Sequence, residues 1–145
     1  MGTRSITRVI DNDWGHETPL VTIYRQYDGY PEGHGRDLAE FITSRRFVNG
    51  ISGDPTKVFN GAGCFAAALI TYLKAERGGD SISDGLGGEI HAGGVYITAP
   101  DAPNEEYNYE ITVAGNQVTM VVKDDAAVIF RGAPSSFLLG LKETM

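Results

Sequence analysis

A single cysteine, Cys64, leaves the chain unable to form an internal disulfide, which fits a reducing, cytoplasmic compartment. No apolar run approaches the length of a bilayer span, so a membrane-spanning helix is excluded. The opening MGTRSITRV has no long apolar stretch of the secretory kind, and Ile6 stands where a myristoylation pattern needs Ser or Thr. Metal chemistry lacks its vocabulary too: His16, His34 and His91 are far apart, with no H-x-x-x-H or C-x-x-C pair. The P-loop pattern and the G-x-S-x-G elbow are both missing. Neither a metal nor a cofactor is therefore expected. Positive charge is also scarce, with 12 Lys and Arg against 19 Asp and Glu. A net charge of -7 excludes bulk binding of nucleic-acid backbone, which needs a broad basic surface.

The deficit is uneven. Residues 1–57 carry seven basic against eight acidic side chains, residues 58–145 five against eleven. A small anionic ligand needs only two or three cations in one pocket, and the first third of the chain has them. At 145 residues, 41% hydrophobic and 21% charged, the sequence reads as one soluble globular domain spanning 1–145.

Period-two patterning predicts strands over Thr3–Ile10, Leu20–Tyr27, Val95–Thr98, Tyr107–Val113, Val118–Lys123 and Ala127–Arg131. Helices are expected from His34 or Gly35 to a stop at Asn49-Gly50, over Phe59–Arg77, and after Pro134. The Phe59–Arg77 segment is apolar nearly all round, as a buried central helix would be. Gly78–Gly94 holds seven glycines and no apolar periodicity, and reads as a mobile loop or lid. The fold class that follows is α+β: a largely antiparallel sheet of about six strands, with two main helices and a short C-terminal helix on one face.

The richest stretch is Thr22–Glu40, TIYRQYDGYPEGHGRDLAE, where a strand meets a glycine- and tyrosine-rich turn and then a helix. Tyr24, Arg25, Tyr27, Asp28, Tyr30, His34 and Arg36 crowd into it, and such a loop on a rigid scaffold is where binding residues concentrate. By strand parity Arg4 and Arg8 share a face with Ile6 and Ile10, and Arg25 shares one with Val21 and Ile23. If the isoleucines face the core, three guanidinium groups turn inward and each needs a carboxylate, carbonyls or a ligand. Asp28, Asp37 and Glu40 are the local carboxylates that pair with them in a purely structural arrangement.

The second glycine run, Asn60-Gly61-Ala62-Gly63, opens the Phe59 helix and loosely echoes a dinucleotide fingerprint, but the strand pattern around it is not doubly wound. Asn60 and Gly61 are candidate phosphate contacts through the helix start. His16-Glu17-Thr18 matches one H-x-T tripeptide of the two-histidine phosphoesterases, without the second copy that chemistry requires. His34 is the best candidate general acid or base, because imidazole titrates near neutral pH.

Met1–Thr7 (MGTRSIT), Tyr24–Phe41 (YRQYDGYPEGHGRDLAEF), Val48–Ile51 and Phe59–Ile70 together resemble a set of uncharacterised small phage and bacterial proteins. The resemblance implies no catalytic residue; it implies a phage-encoded protein acting in the host cytoplasm, a class that includes sponges for nucleotide immune signals. The expectation is non-catalytic sequestration of a small phosphorylated, nucleotide-like ligand, with tyrosines stacking on a base and Arg4, Arg8, Arg25 and Arg36 holding phosphates. The alternatives are a metal-independent phosphodiester-cleaving enzyme using His34, and an interaction module whose RQYDGYPEGHG turn contacts another chain; separately, the chain is a candidate homo-oligomer.

Overall fold

Alternating β-branched residues in the first quarter of the chain fold into a hairpin, β1 (Ser5–Asp11) and β2 (Thr18–Arg25), which lies near one side of a six-stranded sheet. The computed structural model describes residues 2–13, 15–48, 57–77, 81–83, 85–87, 89–91 and 94–144. The chain leaves β2 through a turn and one wide π turn at Pro31–Gly35, then enters α1 (Arg36–Thr43). Short strands β3 (Arg46–Val48) and β4 (Val58–Asn60) pair in parallel, and α2 (Gly61–Arg77) follows directly. An antiparallel pair, β5 (Ser81–Ser83) and β6 (Glu89–His91), precedes β7 (Val95–Ile97). The meander β8 (Tyr107–Ala114), β9 (Gln117–Asp124) and β10 (Ala127–Gly132) leads into α3 (Pro134–Thr144).

Strand order is β10-β9-β8-β1-β2-β7, antiparallel everywhere except between the central pair β1 and β8. The three helices lie on one face: α2 meets β1, β2 and β8, while α3 meets β9, β10 and α1. The expected α+β class is thus the observed one. Val9, Ile23, Tyr109, Ile111, Met120 and Val122 supply the sheet's share of the core, and Leu38, Phe59, Phe65, Leu69 and Leu73 the rest. Burying one such aliphatic or aromatic side chain is worth about 1.5–3 kcal/mol.

Three expectations are corrected. First, α1 ends at Thr43, well before Asn49-Gly50, which lie outside the described residues. Thr43 Oγ1 donates back to the Ala39 carbonyl at 2.8 Å and Ser44 Oγ to that of Phe41 at 2.6 Å, so hydroxyls satisfy the last turn. Second, α2 starts at Gly61 because Val58–Asn60 are held in the ladder with β3. It is not buried all round: Ala62, Phe65, Ala66, Leu69 and Leu73 face the core, while Gly63, Cys64, Ala67, Thr71 and Ala75 are exposed. Third, the described parts of 78–94 include the paired strands β5 and β6, with residues 85–87 forming the bend between them, and residues 78–80, 84, 88, 92 and 93 lie outside the described residues.

Candidate functional site

The three arginines of the first hairpin do not converge. In the β1–β2 register Ser5 faces Arg25 and Thr7 faces Ile23, so the helix-covered face of β1 carries Ser5, Thr7 and Val9. Ile6 and the neighbouring Arg4 and Arg8 belong to the opposite face, where Ile6 pairs with Tyr24. The parity expected from the sequence holds, but the isoleucine row points away from the helices. One inner and one outer cluster result.

The inner cluster is built on Arg25, only 4% exposed. Its Nη1 donates to Asp37 Oδ2 at 2.7 Å and reaches His34 Nδ1 at 3.0 Å. A guanidinium has no acceptor, so Nδ1 must accept; the ring proton then sits on Nε2 and is donated to Thr7 Oγ1 at 2.6 Å. Burial, and after it the Arg25 charge, hold the His34 imidazole well below the ordinary histidine range, so it is neutral at pH 7. Tyr109 closes the cluster: its ring stands edge-on to His34 at 5.0 Å and its hydroxyl donates to the Gly29 carbonyl at 2.6 Å. Burial raises the Tyr109 phenol far above its usual range, so it remains a donor.

Both ring nitrogens of His34 are engaged within the protein and its side chain has no exposed surface. These two bonds tie the turn to the sheet. The glycines serve the same end. A Cβ on Gly29 would stand 2.8 Å from the Thr3 carbonyl oxygen, one on Gly33 2.5 Å from that of Asp28, and one on Gly35 2.9 Å from the Phe137 ring. Asp28 takes a positive φ of 60°, a left-handed conformation that aspartate tolerates better than most non-glycine residues. The His34 amide donates to the Asp28 carbonyl at 2.7 Å, and Arg25 Nη2 lies 4.0 Å from its carboxylate. Above this base Tyr27 and Tyr30 are 51% and 37% exposed.

The outer cluster holds Arg4, Arg8 and Tyr24. Tyr24 stacks on Tyr96 of β7 with ring centroids 4.7 Å apart and planes 27° from parallel. Tyr96 is 52% exposed. Burial, followed by the neighbouring Tyr96, raises the Tyr24 phenol, which keeps it protonated and donating to Gln26 Oε1 at 2.8 Å. Arg4 lies alongside, its side chain 44% exposed and 3.9 Å from Glu105. Arg8 donates to the Ala102 carbonyl at 2.8 Å and to Asn104 Oδ1 at 3.3 Å. Both contacts come from the β7–β8 connection, which crosses this face. Asn108 pins its end, with its side-chain amide donating to the Glu105 and Asp125 carbonyls and accepting from the Glu105 amide.

The other candidates lie apart from both clusters. Arg36 lines a groove of about 490 Å³ between α1 and α3, with Glu40, Leu138, Leu141 and Lys142. Asn60 and Gly61 sit at the β4–α2 junction, where Arg45 lies over the Phe59 ring at 5.3 Å. His16 is exposed in the hairpin loop, and the side chain of His91 is outside the described residues. Among the described residues no group of three His, Cys, Asp or Glu is placed to hold a metal ion, and no helix is long and apolar enough to cross a membrane.

Thr7, Tyr109, Tyr96 and Asn108 are the members that sequence reasoning missed. Tyr109 and Asn108 had a faint signal in the alternation of the Tyr107 strand; Thr7 and Tyr96 become visible only with the register. Comparison of the chain with family models, with curated proteins and with solved structures finds no match.

Proposed function

We propose that the protein binds, without transforming it, a small phosphorylated, nucleotide-like ligand, and that the outer cluster is where it does so. One observation carries the reading: Tyr96 lies half exposed on top of Tyr24, with the exposed guanidinium of Arg4 at the edge of the pair. A base stacked on the half-exposed Tyr96 ring extends an aromatic pile already begun, and base–aromatic stacking is worth about 1–3 kcal/mol per base. Among the described residues the Arg4 side chain makes one long contact, to Glu105, so exchanging that carboxylate for a phosphate costs little. At the tyrosine turn, by contrast, a phosphate would meet exposed Asp28 and Glu32.

The sealed state of His34 favours binding over cleavage. Together with the likeness of the chain to small phage proteins, this makes a sponge for a host immune signal the biological setting we favour. The test is to incubate the protein with cyclic mono-, di- and trinucleotides and then heat it to release what was bound. Intact nucleotide from the wild type and a loss of about tenfold or more in affinity on Tyr96→Ala support the proposal. Shortened product means catalysis, and no retention of any nucleotide refutes it.

A second reading, an interaction module, is favoured by the exposed Tyr27 and Tyr30 standing on a base held by buried hydrogen bonds. Tyrosines presented with little conformational freedom are common interface anchors. Under that reading Tyr27→Ala abolishes capture of a protein partner and Tyr96→Ala does not.

A further inference from the structure

The β8–β9 turn, the residues that follow α1 and the start of α3 together enclose a pocket of about 360 Å³. Its lining runs against the charge of the chain. In a molecule with 19 acidic and 12 basic side chains, none of the residues lining this pocket is acidic, and two of them, Arg45 and Arg46, are arginines. Thr43, Asn116, Gln117 and Ser135 add hydroxyl and amide groups able to donate hydrogen bonds. Among the described residues neither arginine has a carboxylate at salt-bridge distance. They follow α1, whose last carbonyls a cation could cap. There the Thr43 and Ser44 hydroxyls take that place, and neither guanidinium donates a hydrogen bond to a described residue. Arg45 is positioned instead by an aromatic ring: its guanidinium carbon lies over Phe59, 5.3 Å from the ring centroid.

We propose that this pocket binds a phosphate group, as the free ion or as the monoester of a small molecule, and that it is a site separate from the outer cluster. A guanidinium presents paired N–H donors that match two oxygens of a phosphate, and two guanidinium groups balance the charge of its dianion. The hydroxyl and amide lining can serve the remaining oxygens, whereas a metal cation would meet two like charges and no carboxylate. The volume is at the small end of ligand pockets, enough for a phosphate and a few further atoms. A long polyanion would run on from it over a chain of net charge -7. Position separates the two sites. β1 and β8 run parallel, with Ser5 beside Tyr107 and Ile6 beside Asn108, so Arg4 and Tyr24 lie level with the start of β8. The pocket lies at the turn that ends β8. The eight residues of that strand, about 25 Å at roughly 3.3 Å each, lie between them, too far for one phosphate to serve both.

Calorimetric titration of the whole protein with inorganic phosphate and, separately, with glycerol 3-phosphate, at constant ionic strength in chloride, tests the site. The wild type is expected to bind one phosphate group per chain, and the tighter of the two probes tells a free-ion site from an ester site. Arg46 is exposed, so Arg46→Gln should melt like the wild type in chloride while its affinity for the probe falls about tenfold or more. Arg46→Lys, which keeps the charge and loses the planar fork, should fall between the two. Gln117→Glu, a second exposed change, puts a carboxylate into the lining and should abolish binding. Tyr96→Ala should bind the probe as the wild type does, whatever its effect on nucleotides. A wild type that binds neither probe at millimolar concentration overturns the proposal. So does binding that is indifferent to both Arg46→Gln and Gln117→Glu, or that is lost in Tyr96→Ala.

Discussion

Arg25 is tolerable inside the protein only while Asp37 neutralises it. Breaking such a buried pair from one side leaves an uncompensated charge and typically costs 3–5 kcal/mol. Asp37→Ala is therefore expected to lose about 3–5 kcal/mol in urea denaturation, far more than Glu105→Ala at the exposed Arg4 contact, where about 0–1 kcal/mol is at stake. His34 adds a pH dependence whose sign is fixed. Its folded pKa lies below the ordinary 6.5, so the unfolded chain takes up the proton first. The stability it protects is complete above that value and is lost as pH falls below it, at about 1.4 kcal/mol per unit. His34→Gln should flatten that segment of the stability–pH curve, as measured by denaturant midpoints between neutral and mildly acid pH. An unchanged slope would mean that His34 is not the group that titrates.

At this scale the sequence was only half legible. The pairing of Arg25 with Asp37 was one of the local alternatives, being twelve residues away across a turn and a helix start. The face on which Arg4 and Arg8 lie was not. β1 is an interior strand with Ile6 and Val9 both buried, on opposite faces, so hydrophobicity does not say which face carries the helices. Thr7 meets His34 across 27 residues of chain, a contact that no local pattern announces.

Elements were easier to read, because periodicity is a local property. All six strands of the main sheet and the three helices are close to where alternation and helical spacing put them. Their ends differ where tertiary pairing overrode propensity, as at Val58–Asn60, and where hydroxyls stopped α1 at Thr43. Glycines separate the two kinds of position. Gly140 lies within α3 with nothing within 4 Å of where a Cβ would sit. Gly140→Ala should therefore stabilise by about 0.5–1 kcal/mol. Gly35→Ala, which drives a methyl group against Phe137, should destabilise by about 1–3 kcal/mol. Thermal melts of the two variants beside the wild type check both signs at once.

Over the whole molecule, strand order was beyond reach of the sequence. Which strand lies beside which depends on crossovers such as the β7–β8 connection, and that connection also brings Glu105 to Arg4 and Ala102 to Arg8. The order places the Tyr24–Tyr96 pile near the β7 edge, at the opposite end of the sheet from β10. Ligand that binds only the folded state stabilises it in proportion to the logarithm of its concentration. A saturating nucleotide should accordingly raise the melting temperature of the wild type and leave that of Tyr96→Ala unmoved.

The most direct measurement is mass spectrometry of small molecules released on heating from wild-type protein and Tyr96→Ala, purified side by side from the same cells. The outer-face account requires a phosphorylated, base-containing compound from the wild type that is depleted from the variant. The same compound in equal amount from both proteins, or none from either even after nucleotides are added, would contradict it.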